Sequence, residues 1–201
     1  MDTLLIRRLR RAELPVDTVE LARYLIGKTL IRELAQGRMA GRIVETEAYT
    51  VDDAAGHAFR GPTLRNRSLY LERGHAYVTL VYGSSYLFNV SSERAGTGAG
   101  VLLRALEPFE GVELMQARRR KAQVLDLARG PGRLSAAMWI DQRNDGVDLC
   151  ADKSLWLGSA VRRTGPIGQS VRICLTKVAA RVLRFYESDN PFVSGPKRLR
   201  V

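Results

Sequence analysis

Two carboxylates and a phenol stand at alternate positions in the stretch Arg42-Ile43-Val44-Glu45-Thr46-Glu47-Ala48-Tyr49. A carboxylate so placed can take a proton from water as a general base, or offset positive charge that develops on a reacting group. The surrounding residue types read as a strand, whose side chains alternate between faces. Ile43, Glu45, Glu47 and Tyr49 therefore fall on one side, and Val44, Thr46 and Ala48 on the other. A solvated sheet face explains the same pattern without any chemistry, so the residues that follow must separate the two readings.

Those residues supply further candidates. From Asp52 to Pro62 the chain is rich in small and turn-forming residues around His57, as in a loop, and loops often carry function. Thr63, Arg65 and Arg67 flank an amide and suit phosphate contact, although a plain solvated surface reads the same way. Two β-rich runs meet at Tyr82-Gly83-Ser84, a hairpin signal, and Tyr82 beside the turn is either a wedge or stacking platform for a base or an ordinary strand aromatic. Arg104 interrupts the apolar run Val101–Leu106 and needs an anionic partner if buried, for which Glu45 and Glu47 are the obvious choices.

Several elements must hold these groups in place. Asp17 and Glu20 form a capping-box pattern, Val19, Ala22, Leu25 and Ile26 give an apolar helix face, and Gly27 stands where that helix stops. Residues 28–33 and 42–49 are β-like and joined by a segment holding Gly37 and Gly41. Glu110 to Lys121 is helical, and Leu127 to Leu134 is a turn leading into another short helix. Short strands follow around Val147, Leu155–Leu157, Val171–Leu175 and Leu183–Tyr186. Strands interleaved with separated helices predict an α+β fold over a regular alternating one.

The 201 residues, 45% of them hydrophobic, can bury one sizeable core, and no repeat divides the chain, so residues 1–201 are read as a single domain. The net charge of +11 creates an attractive field for a polyanion, nucleic acid foremost. A membrane surface is disfavoured, because no apolar run is long enough to span a bilayer and no basic amphipathic helix accompanies a lipid-anchor signal. Cys150 and Cys174 lack a CxxC or a neighbouring histidine, so neither a zinc site nor a disulfide framework is expected. The basic cluster near the N-terminus follows its short apolar patch, unlike a secretory signal, and a cytoplasmic protein is expected, nuclear if the source has a nucleus. His75 reads as a turn or surface histidine.

Taken in order, RIVETEAY, the loop ending at His57, TLRNR, VYGSSYLFNVSS, VLLRALEP, ARGPGRL and LRFYESDNPFVS resemble the alkyladenine (3-methyladenine) DNA glycosylase family of the single-domain, metal-free type. The resemblance runs from Pro15 to about Ser194. It implies a curved, mostly antiparallel sheet with flanking helices and a protruding hairpin, like a formyltransferase C-terminal domain. It also implies no cofactor, no metal, and a monomer acting on double-stranded DNA that contains damaged purines.

Residue by residue, the resemblance makes Glu47 the general base and Arg104 the arginine that holds the attacking water and the carboxylate. The carbonyl of Ile173 becomes a third water ligand. Tyr49 and His57 contact the faces of the extruded base, the amide at His57 reads its edge, and Asn89 disfavours the 2-amino group of guanine. Tyr82 fills the vacated stack, and Thr63, Arg65, Arg67, Ser84 and Arg133 contact DNA. Glu45 is left as a structural ion pair.

The chain departs from the family pattern at Thr79, where a second stacking tyrosine is frequent, and at Ser84, Cys174 and Val182. The first departure predicts weaker capture of flat neutral lesions such as ethenoadenine relative to cationic alkylpurines. A passive binding module for distorted nucleic acid is the alternative, but it has no need of a water-activating carboxylate.

Overall fold

Asp17 starts the first helix by accepting from the backbone N–H groups of Val19 and Glu20, both at 2.8 Å, which satisfies two of the orphan donors of the first turn. Helix α1 (Thr18–Leu25) buries Thr18, Leu21, Ala22 and Leu25, the spacing of one helical face. Gly27, at φ +86°, turns the chain into the sheet. The computed structural model describes residues 5–120, 122–174, 178, 180–196 and 199.

Strand β1 (Thr29–Leu34) returns through a tight turn at Ala35-Gln36 into β2 (Gly37–Tyr49). Gly41 therefore lies inside β2 and not in the connection. The hairpin β3 (Ala76–Val81) and β4 (Ser85–Ser91) leads to β5 (Gly100–Glu110), and β6 (Leu155–Gly158), β7 (Ile167–Ser170) and β8 (Arg184–Glu187) complete an eight-stranded sheet. Strand order is β3-β4-β5-β2-β1-β6, with β8 on the far half of β2 and β7 beyond it, and every pairing among the described residues is antiparallel. Helices α2 (Val112–Arg118) and α3 (Pro131–Ala137) join α1 against the sheet, an α+β arrangement.

Strand β2 is central rather than a solvated edge, and its residues from Met39 to Ala48 are all buried. Its ladder with β5 is broken at three places, once between Ala40 and Gly41, where Phe109 is unmatched, and twice nearer the carboxylates. Ile43 faces Leu106 and Glu45 faces Ala105, which leaves Val44 unmatched; Thr46 then faces Leu103, which leaves Arg104 unmatched. Each bulge shifts the face presented by its own strand.

Ile43 therefore joins Ala48 in the main core, while Val44 joins Ala105, Tyr186 and Val193 on the opposite face. Thr46 faces α1, its hydroxyl donating to the Ala22 carbonyl at 2.9 Å. The uninterrupted alternation read from the sequence is thus correct from Glu45 onward and inverted at Ile43 and Val44.

Three other expectations are corrected. The strand placed at 171–175 lies earlier, at Ile167–Ser170; residues 171–174 are irregular and Leu175 is outside the described residues. Around Val147 there is only an isolated bridge between His75 and Asp148. The helix read from Glu110 begins at Val112, because Glu110 still belongs to β5 and Gly111, at φ +65°, redirects the chain; Lys121 is outside the described residues.

Candidate active site

The face of β2 opposite the main core carries Glu45 and Glu47, both fully buried. Burial of two carboxylates requires compensation, which comes from β5 and β8. Arg104 Nε donates to Glu45 Oε1 at 2.8 Å and its Nη1 lies 3.2 Å from Glu47 Oε1, so one guanidinium serves both. Arg184 Nε reaches Glu45 Oε1 at 2.7 Å and the Ser194 N–H reaches Oε2 at 2.6 Å. Against the cost of burial, Arg104 and Arg184 hold the Glu45 carboxyl below its ordinary range. Burial also opposes charge on Arg104, but Glu47 and then Glu45 raise its pKa. Glu45 is the structural ion pair that the sequence led us to expect.

Glu47 has a different set of partners. Its Oε1 accepts from the Ile173 N–H at 2.8 Å and its Oε2 from the Tyr49 hydroxyl at 3.0 Å. Together with Arg104 all three neighbours donate, a set that suits an ionised carboxylate. Ile173 was expected to act through its carbonyl; here its amide makes the contact, and the carbonyl has no hydrogen bond among the described residues. Burial, then the nearby Glu47 charge, pushes the Tyr49 phenol well above its ordinary pKa, so it remains a donor.

Tyr49, Arg104 and Ile173 form the floor of a cavity of about 370 Å³ whose other walls include His57, Tyr77, Asn89 and Tyr82. Glu47 lies immediately behind that floor. The His57 ring meets Tyr77 edge-on at 5.9 Å, and its Nδ1 is 2.9 Å from the Tyr77 hydroxyl. Partial burial, then the charge of Arg65, lowers the His57 pKa, which keeps the ring neutral at neutral pH. Its backbone N–H has no partner among the described residues and is free to donate.

Asn89 pairs with Tyr77 across the hairpin and donates to its carbonyl at 3.3 Å. Tyr82 is 94% exposed at the hairpin tip, with no packing to explain an aromatic there. Both central turn residues have positive φ, 50° at Tyr82 and 67° at Gly83, and the Ser84 N–H closes the turn on the Val81 carbonyl. Glycine accepts that conformation readily, but a tyrosine in it is strained.

The other expected DNA contacts are more scattered. Ser84 and Arg133 share a groove of about 450 Å³ beside the hairpin with Arg119 and Arg129, although Arg133 also pairs with Asp126 at 2.8 Å. Thr63 is exposed in the loop before β3, which is pinned by Asn66 through the Thr63 N–H at 2.6 Å, and Arg67 is exposed at the start of the 3-10 turn Arg67–Tyr70 that follows. Arg65 and Thr79 bond to each other: Nε and Nη2 of the arginine lie 3.1 and 3.0 Å from the threonine hydroxyl. His75 bonds the Glu72 carbonyl and neighbours Arg11, away from the cavity.

The sequence reading missed Tyr77 as a cavity wall and the support beneath Tyr49. Arg172, fully buried, lies 4.6 Å from the Tyr49 ring centre, and its Nη1 and Nη2 bind the Asp53 carboxylate at 2.5 and 3.1 Å. The signal was available, since Arg172 and Arg184 interrupt apolar runs just as Arg104 does.

A family model described as methylpurine-DNA glycosylase matches residues 12–191. A relative from Mesorhizobium japonicum is 60% identical over 190 residues, covering 94% of this chain and 91% of its own. One from Paraburkholderia phytofirmans is 51% identical over 193 residues, covering 96% and 91%. One from Methanocella arvoryzae is 44% identical over 181 residues, covering 88% and 90%. Each is provisionally named 3-methyladenine DNA glycosylase. No described helix is long and apolar enough to cross a membrane. The chain belongs to the methylpurine-DNA glycosylase family.

Proposed function

We propose that the protein, acting as a monomer in the cytoplasm, hydrolyses the N-glycosidic bond of damaged purines, alkylated bases and hypoxanthine among them, after flipping them out of duplex DNA. The observation that carries this reading is the placement of Glu47, fully buried and held by three donors directly behind a cavity that opens under the exposed Tyr82.

A carboxylate offers about four lone-pair directions. The three donors leave one for a water, which the Ile173 carbonyl can also hold. The glycosidic electron pair leaves with the base as water oxygen bonds to C1′, and Glu47 accepts the water proton while its charge offsets the oxocarbenium-like sugar. Tyr49 supplies one stacking surface, His57 its amide, and Asn89 the steric limit on the base edge.

A base within the stack cannot reach such a carboxylate, so extrusion is required, and its cost is least at a damaged or mismatched pair. Tyr82 takes the vacated position and the basic groove beside the hairpin receives the backbone. The test is free-base release from lesion-bearing duplex by the wild type and Glu47→Gln. Loss of release with binding retained supports the reading. Release unaffected by the change removes Glu47 from the chemistry, and binding without release by the wild type favours a passive binding module.

A further inference from the structure

We propose that Arg129 is a phosphate-binding residue that holds the backbone of the damaged nucleotide in its extruded position and has little hold on an undistorted duplex. The inference deepens the glycosidic reading above and rests on it.

The turn Arg129-Gly130-Pro131 walls several adjoining hollows. Pro131 is common to the base cavity and the basic groove beside the hairpin. Arg129, Gly130 and Arg133 are common to that groove and a further hollow of about 350 Å³. This hollow also reaches Arg104, which lies on the floor of the base cavity. A nucleotide whose C1′ faces Glu47 brings its own phosphates with it, because they are bonded to the same sugar. The backbone therefore leaves the groove at Pro131 and runs past Arg129 on the Arg104 side.

Arg129 is built into position there. Its backbone bridges to Ala105, the residue after Arg104, and the neighbouring Ala128 carbonyl accepts from the Leu106 N–H at 3.1 Å. Its side chain is half-buried, and Nε donates to the Val193 carbonyl at 3.0 Å. Nη1 and Nη2 have no hydrogen bond among the described residues. The guanidinium is thus fixed at one nitrogen with its two terminal nitrogens left over, a paired donor set that matches two oxygens of a phosphate.

The charges point the same way. Arg104 is matched by Glu45 and Glu47, and Arg133 by Asp126, the acidic residue that lines the same hollow. Arg129 forms no ion pair among the described residues, so its charge is the one left for an anion. Arg119 and Arg133 lie along the groove, where the backbone of any duplex meets them. Arg129 stands at the crossing towards Arg104, and its contact forms as the nucleotide swings in. A contact made in the extruded state alone shifts the equilibrium towards that state and offsets part of the unstacking cost.

The experiment compares wild type, Arg129→Met, Arg129→Lys and Arg133→Met on duplexes of one sequence, unmodified or carrying a single hypoxanthine. A 2′-fluorine on the lesion nucleotide disfavours the oxocarbenium-like sugar and keeps the base attached while affinity is followed against salt. Arg129→Met weakens lesion binding by about 10- to 100-fold, the scale of a hydrogen bond to a charged group. It lowers the salt slope for that duplex by about one and leaves binding to the unmodified duplex unchanged. Arg133→Met weakens both duplexes alike, and Arg129→Lys, which keeps the charge without the fork, falls between wild type and Arg129→Met.

A second arm replaces each phosphate flanking the lesion in turn by an uncharged methylphosphonate. At one of the two positions wild type loses affinity as Arg129→Met does, and Arg129→Met is indifferent to that replacement. A residue that merely supported the Val193 carbonyl would give losses that add. Additive losses, an equal effect of Arg129→Met on both duplexes, or no effect of either methylphosphonate on wild type overturns the proposal. If wild type releases no base from the 2′-hydrogen form the glycosidic reading fails, while the salt slopes on lesion and unmodified duplex still decide the role of Arg129.

Discussion

The hydroxyl of Tyr49 lies 3.0 Å from Glu47 Oε2, so the proposed stacking ring and the proposed base share a hydrogen bond. The ring and its hydroxyl can therefore be tested separately. Tyr49→Phe keeps the surface and frees one lone pair of the carboxylate; it retains release within about tenfold of wild type, the scale of one hydrogen bond to a charged group. Tyr49→Ala removes stacking worth roughly 1–3 kcal/mol and lowers single-turnover release by about 10- to 100-fold. Equal losses in the two variants would show that the hydroxyl, not the ring, matters.

Glu45 and Glu47 differ in what their removal leaves behind. Glu45→Ala strips Arg184 of its carboxylate partner and leaves Arg104 with the longer contact to Glu47 as its one ion pair among the described residues, deep in the fold. Breaking such a buried pair costs about 3–5 kcal/mol. Glu47→Gln leaves Arg104 bonded to Glu45 and costs less. Urea midpoints of the two variants order them, and a Glu47→Gln midpoint as low as that of Glu45→Ala would contradict the division of roles.

How much of this was legible in the sequence depends on whether the cause was local. The Asp17 cap, the Tyr82-Gly83 turn and the arginine in an apolar run each carry a requirement within a few residues, and each was found. The bulges at Val44 and Arg104 were not, because an unmatched residue leaves the composition of its own strand unchanged; only the partner strand reveals the skip. The Ile173 amide contact was hidden for the same reason, since it joins residues 126 positions apart. Arg65 and Thr79 were both singled out, but as a phosphate contact and a missing aromatic; that they answer one another is a fact of the tertiary structure alone.

His57 gives a pH dependence of defined sign. Its folded pKa is depressed, first by partial burial and then by Arg65, from an unfolded value near 6.5. The unfolded chain therefore binds more protons as pH falls below that value, and stability is fully present above it and declines through the acid window beneath it. His57→Asn flattens this part of the pH profile of denaturation. With only two histidines in the chain, NMR titration resolves the cause directly: Arg65→Met moves the His57 pKa upward.

Tyr82 occupies the left-handed region at a cost of about 1–2 kcal/mol relative to a glycine. Tyr82→Gly consequently raises the thermal midpoint while it lowers release from duplex substrate. On single-stranded substrate, where no stack must be filled, the loss shrinks. An equal loss on both substrates would exclude the insertion role.

Two of the skipped residues, Val44 and Arg104, differ in what they allow this pair of strands to change by descent. They offset one another, so the segments run in phase again at Thr46 and Leu103. Ile43, Thr46 and Ala48 share the core face and Val44, Glu45 and Glu47 the other, so removal of Val44 leaves a regular alternation in which Glu47 keeps its side. Removal of Arg104 would strip both buried carboxylates of a shared cation, so a change of length by descent is open at Val44 and closed at Arg104.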